Sequence, residues 1–152
     1  MEEYRAPVPG SLTGGTVVDV DEAREMWAAG EVAFVDVLPR TPKPRNLPEG
    51  TIWREKPHET IPGAMWLPNT GYGDIAQVTH RYFLDGLAEA TGGDTDHPVL
   101  FFCKADCWMS WNAARRAIVD GYSRIYWLPT GVDGWSQAGY DLETVDPRPG
   151  EP

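Results

Sequence analysis

Two stretches of the chain, Val32-Ala33-Phe34-Val35-Asp36-Val37 and Val99-Leu100-Phe101-Phe102, are apolar at nearly every position. A strand with one face in water alternates apolar and polar residues. A strand that is apolar throughout is covered on both faces, which is how strands of a parallel sheet read. The segments between such runs must then supply the cover.

The rest of the sequence fits that demand. Asp19 and Glu22 form a capping-box pattern, and the helix they start runs to Gly30, with Val20, Ala23, Met26 and Trp27 on its apolar side. Asp74 to Thr91 carries Ile75, Val78, Tyr82, Phe83 and Leu87 at helical spacing, with Gly92 as its stop. Met109 to Asp120 reads as a third helix, ended by Gly121, and Arg124 to Leu128 as the next strand. Alternating strands and helices with short links predict an α/β domain with a mostly parallel sheet covered on both faces.

Two segments are irregular. Residues 1–15 contain Pro7, Pro9, Gly10, Gly14 and Gly15 and read as an extended, loosely held N-terminal arm. From Leu38 to Pro68 prolines recur, and a loop of that length either wraps a functional pocket or forms a rigid surface insertion. Ile61 to Pro68, at its end, reads as a turn and a short strand.

Bulk properties narrow the function. A chain of 152 residues makes one domain, and 41% hydrophobic with 24% charged residues is ordinary for a globular protein. A formal net charge of −10 repels phosphate backbones, which argues against nucleic acid as a partner. It tolerates a basic partner such as a cationic redox protein. No apolar run approaches the roughly 18 residues of a membrane span. The sequence Met-Glu-Glu-Tyr-Arg-Ala-Pro resembles no signal peptide, and read literally it predicts a cytoplasmic protein.

The two cysteines, Cys103 and Cys107, stand four positions apart. They are a redox pair, half of a metal site, or a nucleophile with an incidental neighbour. Cys103 ends a buried strand and precedes a short loop and a helix. Parallel α/β sheets place ligands at the carboxyl ends of strands, beside helix N-termini whose free N–H groups favour negative charge. Lys104 adds to that effect, so Cys103 is a candidate low-pKa nucleophile. The plain alternative is a buried, inert cysteine closing a strand.

Other residues carry weaker signals. His58, His80 and His97 have no ligand spacing to the cysteines, so no metal site is expected. Asp36 and Arg40, at the end of the first buried strand, and His58, in the long loop, are candidate neighbours of the site. Asp36 and Arg40 could pair with each other, orient the loop or contact a ligand; the plain reading is a strand-end acid capping a turn. Trp108 and Trp111 either wall a pocket for a planar ligand or join the core. Arg115 and Arg116 read as solvated helix residues.

Several of these pieces occur in a particular order: Asp36, then Ile61-Pro62-Gly63-Ala64, the strand and Cys103 loop, Gly121-Tyr122, and Gly131-Val132-Asp133-Gly134-Trp135-Ser136-Gln137-Ala138-Gly139-Tyr140. Together they resemble the rhodanese-like (sulfurtransferase) domain, and the resemblance implies a domain over residues 16–143 with 144–152 as a C-terminal tail. The string from Cys103-Lys104-Ala105-Asp106-Cys107-Trp108 to Ala114 is similar to the pyrroloquinoline-quinone-dependent catabolism-associated CxxxCW motif proteins.

The resemblance implies a three-layer rhodanese-like fold and a cradle from Cys103 to Trp108 in which the cysteine carries a persulfide or binds an anion. Lys104, Ala105, Asp106, Trp108 and Met109 would form the binding loop. It also implies export to the periplasm and no cofactor, with a sulfur-containing or thiol substrate. The enzyme label it suggests is sulfurtransferase. A non-catalytic accessory module for a periplasmic quinoprotein dehydrogenase or its cytochrome is the competing class.

The loop departs from the sulfurtransferase pattern in having Trp108 where arginine is frequent and Asp106 where small residues are usual. Both departures make it less hospitable to an anion such as thiosulfate. Cys107 adds a resolving thiol, which would expel sulfide from a persulfide on Cys103 and leave a disulfide. That role requires the two Cα atoms to lie within about 7 Å. Otherwise Cys107 is a small core residue.

Overall fold

The computed structural model describes residues 9–40, 48–50 and 57–152. Part of the N-terminal arm and much of the proline-rich segment therefore lie outside the described residues.

Among the described residues, five parallel strands form the main sheet: β1 (Thr16–Val17), β2 (Ala33–Asp36), β4 (Met65–Trp66), β5 (Val99–Phe102) and β6 (Ile125–Trp127), in the order β1-β6-β5-β2-β4. A separate antiparallel pair joins β3 (His58–Thr60) to β7 (Glu143–Val145). The same residues include four helices: α1 (Val20–Ala29), α2 (Gln77–Thr91), α3 (Trp108–Val119) and α4 (Gly131–Gln137).

The two apolar runs become the two central strands. β2 and β5 lie side by side with Asp36 opposite Phe102, and each is covered on both faces. Residues alternate between the faces. Val35, Val99, Phe101 and Trp127 pack with Tyr82, Phe83 and Leu87 of α2 and with Met109, Ala113 and Ala117 of α3. Phe34, Leu100, Phe102 and Leu128 pack with Ala23 of α1 and with Val132 and Trp135 of α4. The result is a three-layer α/β sandwich. Each fully buried Leu or Phe in these layers contributes roughly 1.5–3 kcal/mol of apolar transfer energy.

Local chemistry sets the helix ends. Asp19 accepts from Glu22 N at 2.8 Å while Glu22 Oε1 accepts from Asp19 N at 3.2 Å, completing the capping box. At the other end Gly30 takes the left-handed conformation, with φ 72°, which lets its N–H reach back to the carbonyls of Met26 and Trp27. α2 starts at Gln77, three residues later than its apolar spacing suggests, and Ala76 at its N-cap has no side chain to hold the first turn.

Two described segments outside the sheet are anchored, residues 11–12 and the C-terminal segment. Leu12 is buried in the α2/α3 core, and Ser11 O accepts from Trp111 Nε1, so residues 11–12 of the arm are docked rather than loose. Tyr82 Oη donates to Arg148 O, Arg148 N donates to Trp66 O, and Arg148 pairs with Glu89. These contacts, with β7, strap the C-terminal segment across α2 and β4.

Arg116 is half-buried rather than solvated. Its guanidinium donates to the carbonyls of Thr70 and Tyr72, tying the segment before α2 to α3. Burial lowers its pKa, while Asp120 and Asp74 act in the opposite sense.

Candidate functional site

The carboxyl edge of the main sheet is where β5 ends and the chain turns into α3. Cys103 follows the last residue of β5, and Cys107 is the N-cap of α3, in extended conformation with no side-chain cap bond. The turn between them requires Asp106 to adopt a positive φ of 53°, a conformation that aspartate tolerates better than most residues. That turn brings the two cysteines together. Their sulfurs form a disulfide, with the Cα atoms 6.3 Å apart. The separation lies within the range a disulfide needs, so the four-residue spacing works in this loop.

The disulfide is covered. Cys103 and Cys107 are each 1% exposed, so the oxidised site is closed to solvent. Asp106 alone in the loop is exposed, while Lys104, Ala105 and Trp108 are half-buried and Met109 is in the core. Trp108 meets Trp111 edge-on at 5.2 Å between centroids, and Arg115 lies over Trp111. The two indoles form a half-buried aromatic shoulder beside the loop.

Three residues with no role assigned from the sequence support the loop. Ser110 is fully buried; its Oγ donates to Cys107 O, accepts from Trp127 Nε1 at 2.9 Å and lies 3.8 Å from Cys103 Sγ. Val132 N, in α4, donates to Cys103 O at 2.9 Å. Asp133 Oδ2 accepts from Ala105 N at 2.9 Å. Gly131 makes this approach feasible: its φ is 54°, and a Cβ there would stand 2.3 Å from Cys103 O. A lone hydroxyl on the buried side of an otherwise apolar helix signals a polar partner, and that signal would have found Ser110. Nothing in the spacing of Asp133 pointed to Ala105.

The three expected neighbours lie elsewhere on the same edge. Asp36 shares the face of Phe34 and Phe102, whereas Cys103 belongs to the face of Phe101 and Trp127. Asp36 is fully buried, and its carboxylate accepts from Thr60 Oγ1 at 2.8 Å and from Leu38 N at 2.9 Å. His58 Nε2 lies 2.5 Å from Asp36 Oδ2, with its ring against Trp66. These donors offset the cost of burying a carboxylate. Arg40 pairs with Glu151, and its N–H donates to Asn69. The structure therefore brings Asp36 and His58 together but does not bring either to the cysteine loop.

Among the described residues, no group of three or more His, Cys, Asp or Glu is placed to hold a metal ion. No helix among them is long and apolar enough to cross a membrane. Two surface clefts, of about 290 and 310 Å³, are lined by residues such as Trp27, Val32, Pro62 and Tyr126, and neither touches a cysteine.

The comparisons agree with the architecture. The family model for the rhodanese-like domain matches residues 17–138. Among solved structures, the chain is similar to a thiosulfate sulfurtransferase from Pseudomonas aeruginosa, at 19% identity and a TM-score of 0.60, over 90% of this chain and 21% of the other. It therefore spans about a fifth of that protein's length. An EanB variant in complex with hercynine matches at 24% identity and a TM-score of 0.61, over 93% of this chain and 34% of the other. A homodimeric polysulfide-sulfur transferase from Wolinella succinogenes matches at 16% identity and a TM-score of 0.54, over 86% and 80%. A search of curated proteins found no match.

Proposed function

Because the chain belongs to the rhodanese-like domain family, we propose that it handles sulfur through Cys103, with Cys107 as the resolving thiol. In the reduced protein, the Cys103 thiolate attacks the outer, sulfane sulfur of a persulfide donor R–S–SH; the donor's S–S bond breaks, the thiolate R–S⁻ leaves, and Cys103 becomes a persulfide. Cys107 then attacks the inner sulfur: the bond from Cys103 to the outer sulfur breaks, hydrosulfide leaves, and the Cys103–Cys107 bond forms. The outer sulfur gains two electrons and the two protein thiols lose them. A dithiol reductant resets the pair.

The observation that carries this reading is the disulfide itself, closed by a turn whose Cα–Cα distance suits it. The N-terminus of α3 supports negative charge at the loop. Solved sulfurtransferases that share the fold support sulfur as the substrate element.

The test is intact-mass analysis of reduced, reductant-free protein before and after exposure to a persulfide donor. The parent is expected to end as the disulfide, with hydrosulfide released. Cys107→Ser is expected to retain one added sulfur, and Cys103→Ser none. A parent that leaves both thiols unchanged would overturn the proposal.

The burial of both sulfurs favours one second reading. In it the domain is a non-catalytic accessory module of a periplasmic quinoprotein dehydrogenase system, and the disulfide is structural. Cys103→Ser would then leave partner capture intact, and sulfur turnover would be absent in the parent as well.

A further inference from the structure

α4 holds the cysteine loop at two points, through Val132 N to Cys103 O and through Asp133 Oδ2 to Ala105 N. The first contact fixes position. The second sets a formal negative charge against the backbone of the loop and occupies one of its amides. A loop that binds anions keeps such N–H groups for the ligand. Asp106 adds a second carboxylate at the exposed turn, against one positive charge from Lys104.

We infer that Asp133 is the specificity-determining residue of this site, selecting uncharged or cationic sulfur compounds over anionic ones. The inference rests on the reading of Cys103 as the attacking thiol. A substrate whose charge sits roughly 6–7 Å from the Asp133 carboxylate, in a partly screened site, would have its rate changed on the order of tenfold by that one charge.

The chemistry of the test is thiol–disulfide exchange. Cys103 Sγ attacks one sulfur of R–S–S–R, the S–S bond breaks and one thiolate leaves. Cys107 Sγ then attacks Cys103 Sγ, releases the second thiolate and forms the protein disulfide. The probe gains two electrons, and the protein thiols lose two electrons and two protons, the protons passing to the released thiolates or to solvent.

The reduced 152-residue chain is mixed with cystamine, a dication, or with dithiodipropionate, a dianion, and the two rate constants are compared. Their ratio is normalised to that of a small uncharged thiol. The parent is expected to favour cystamine by on the order of a hundredfold, about tenfold from the faster cation and about tenfold from the slower anion. Asp133→Asn, which keeps an oxygen for Ala105 N–H, is expected to remove most of that preference.

High salt acting on the parent should shrink the preference without any substitution. A purely positional role for Asp133 would leave the preference of Asp133→Asn equal to the parent's, since salt also screens the chain's net charge of −10. A preference unchanged in Asp133→Asn, or insensitive to salt in the parent, overturns the inference. A parent that reduces neither probe overturns the thiol reading itself, and this inference with it.

Discussion

Ser110→Ala removes a buried hydroxyl that serves two neighbours. The indole N–H of Trp127 loses its acceptor at 2.9 Å, and Cys107 O loses a donor at 3.2 Å. Ser110 and Trp127 are both fully buried, so the orphaned N–H has no solvent to turn to. An unsatisfied buried donor costs about 1–3 kcal/mol. Alanine is the better helix former by up to about 0.5 kcal/mol, which offsets part of the loss.

The net expectation is about 2 kcal/mol. For a domain of this size that corresponds to a fall in Tm of about 4–8 °C. Urea denaturation of the oxidised protein, followed by circular dichroism, reads the effect. Completing the cycle with Trp127→Phe and the double variant should give a coupling of about 1–2 kcal/mol, because the two groups share one bond. Ser110→Ala within about 0.5 kcal/mol of the parent, with no coupling, would refute the reasoning that this hydroxyl holds the loop's floor.

Reduction of the Cys103–Cys107 disulfide, which spans a sequence separation of four, should lower stability by about 2 kcal/mol from loop entropy alone. Equilibrium unfolding with and without reductant measures it. The hydroxyl of Tyr82 is raised from 10.0 to about 12, chiefly by burial and then by Glu151. Because the folded form holds this proton more tightly than the unfolded form, the associated stability is intact below pH 10 and is lost as pH rises through about 12. Urea midpoints measured across that window should therefore fall more steeply in the parent than in Tyr82→Phe.

The fold was legible where a residue type has one structural use. The apolar runs at Val32 and Val99, too short for a buried helix, read as strands covered on both faces, and Asp19, Glu22 and Gly30 marked both ends of α1. β1, β3 and β7 were not legible. They are two or three residues long, and their pairing is decided by distant chain rather than by local pattern. α4 was hidden because Gly131 and Gly134 weaken any local helical signal, while the approach to Cys103 O requires Gly131.

For the site, the strand–cysteine–helix order placed Cys103 at the carboxyl edge of the sheet. Spacing alone left open whether Cys107 would meet it, since that depends on the left-handed turn at Asp106. Asp36 ends a strand at the same edge as Cys103, and His58 lies in the long loop, so the sequence groups both with the site. Chain order says nothing of which face a strand-end side chain takes until the register is known.

That division of faces separates two kinds of change the domain can undergo. The Asp36–His58 centre and the disulfide share an edge but no partner, with the sheet between them. Substitutions at one should add to those at the other without cross-talk. The fold thus carries two independent dials: one face can drift to adjust how firmly the domain holds together, while the other is retuned for what its sulfurs meet.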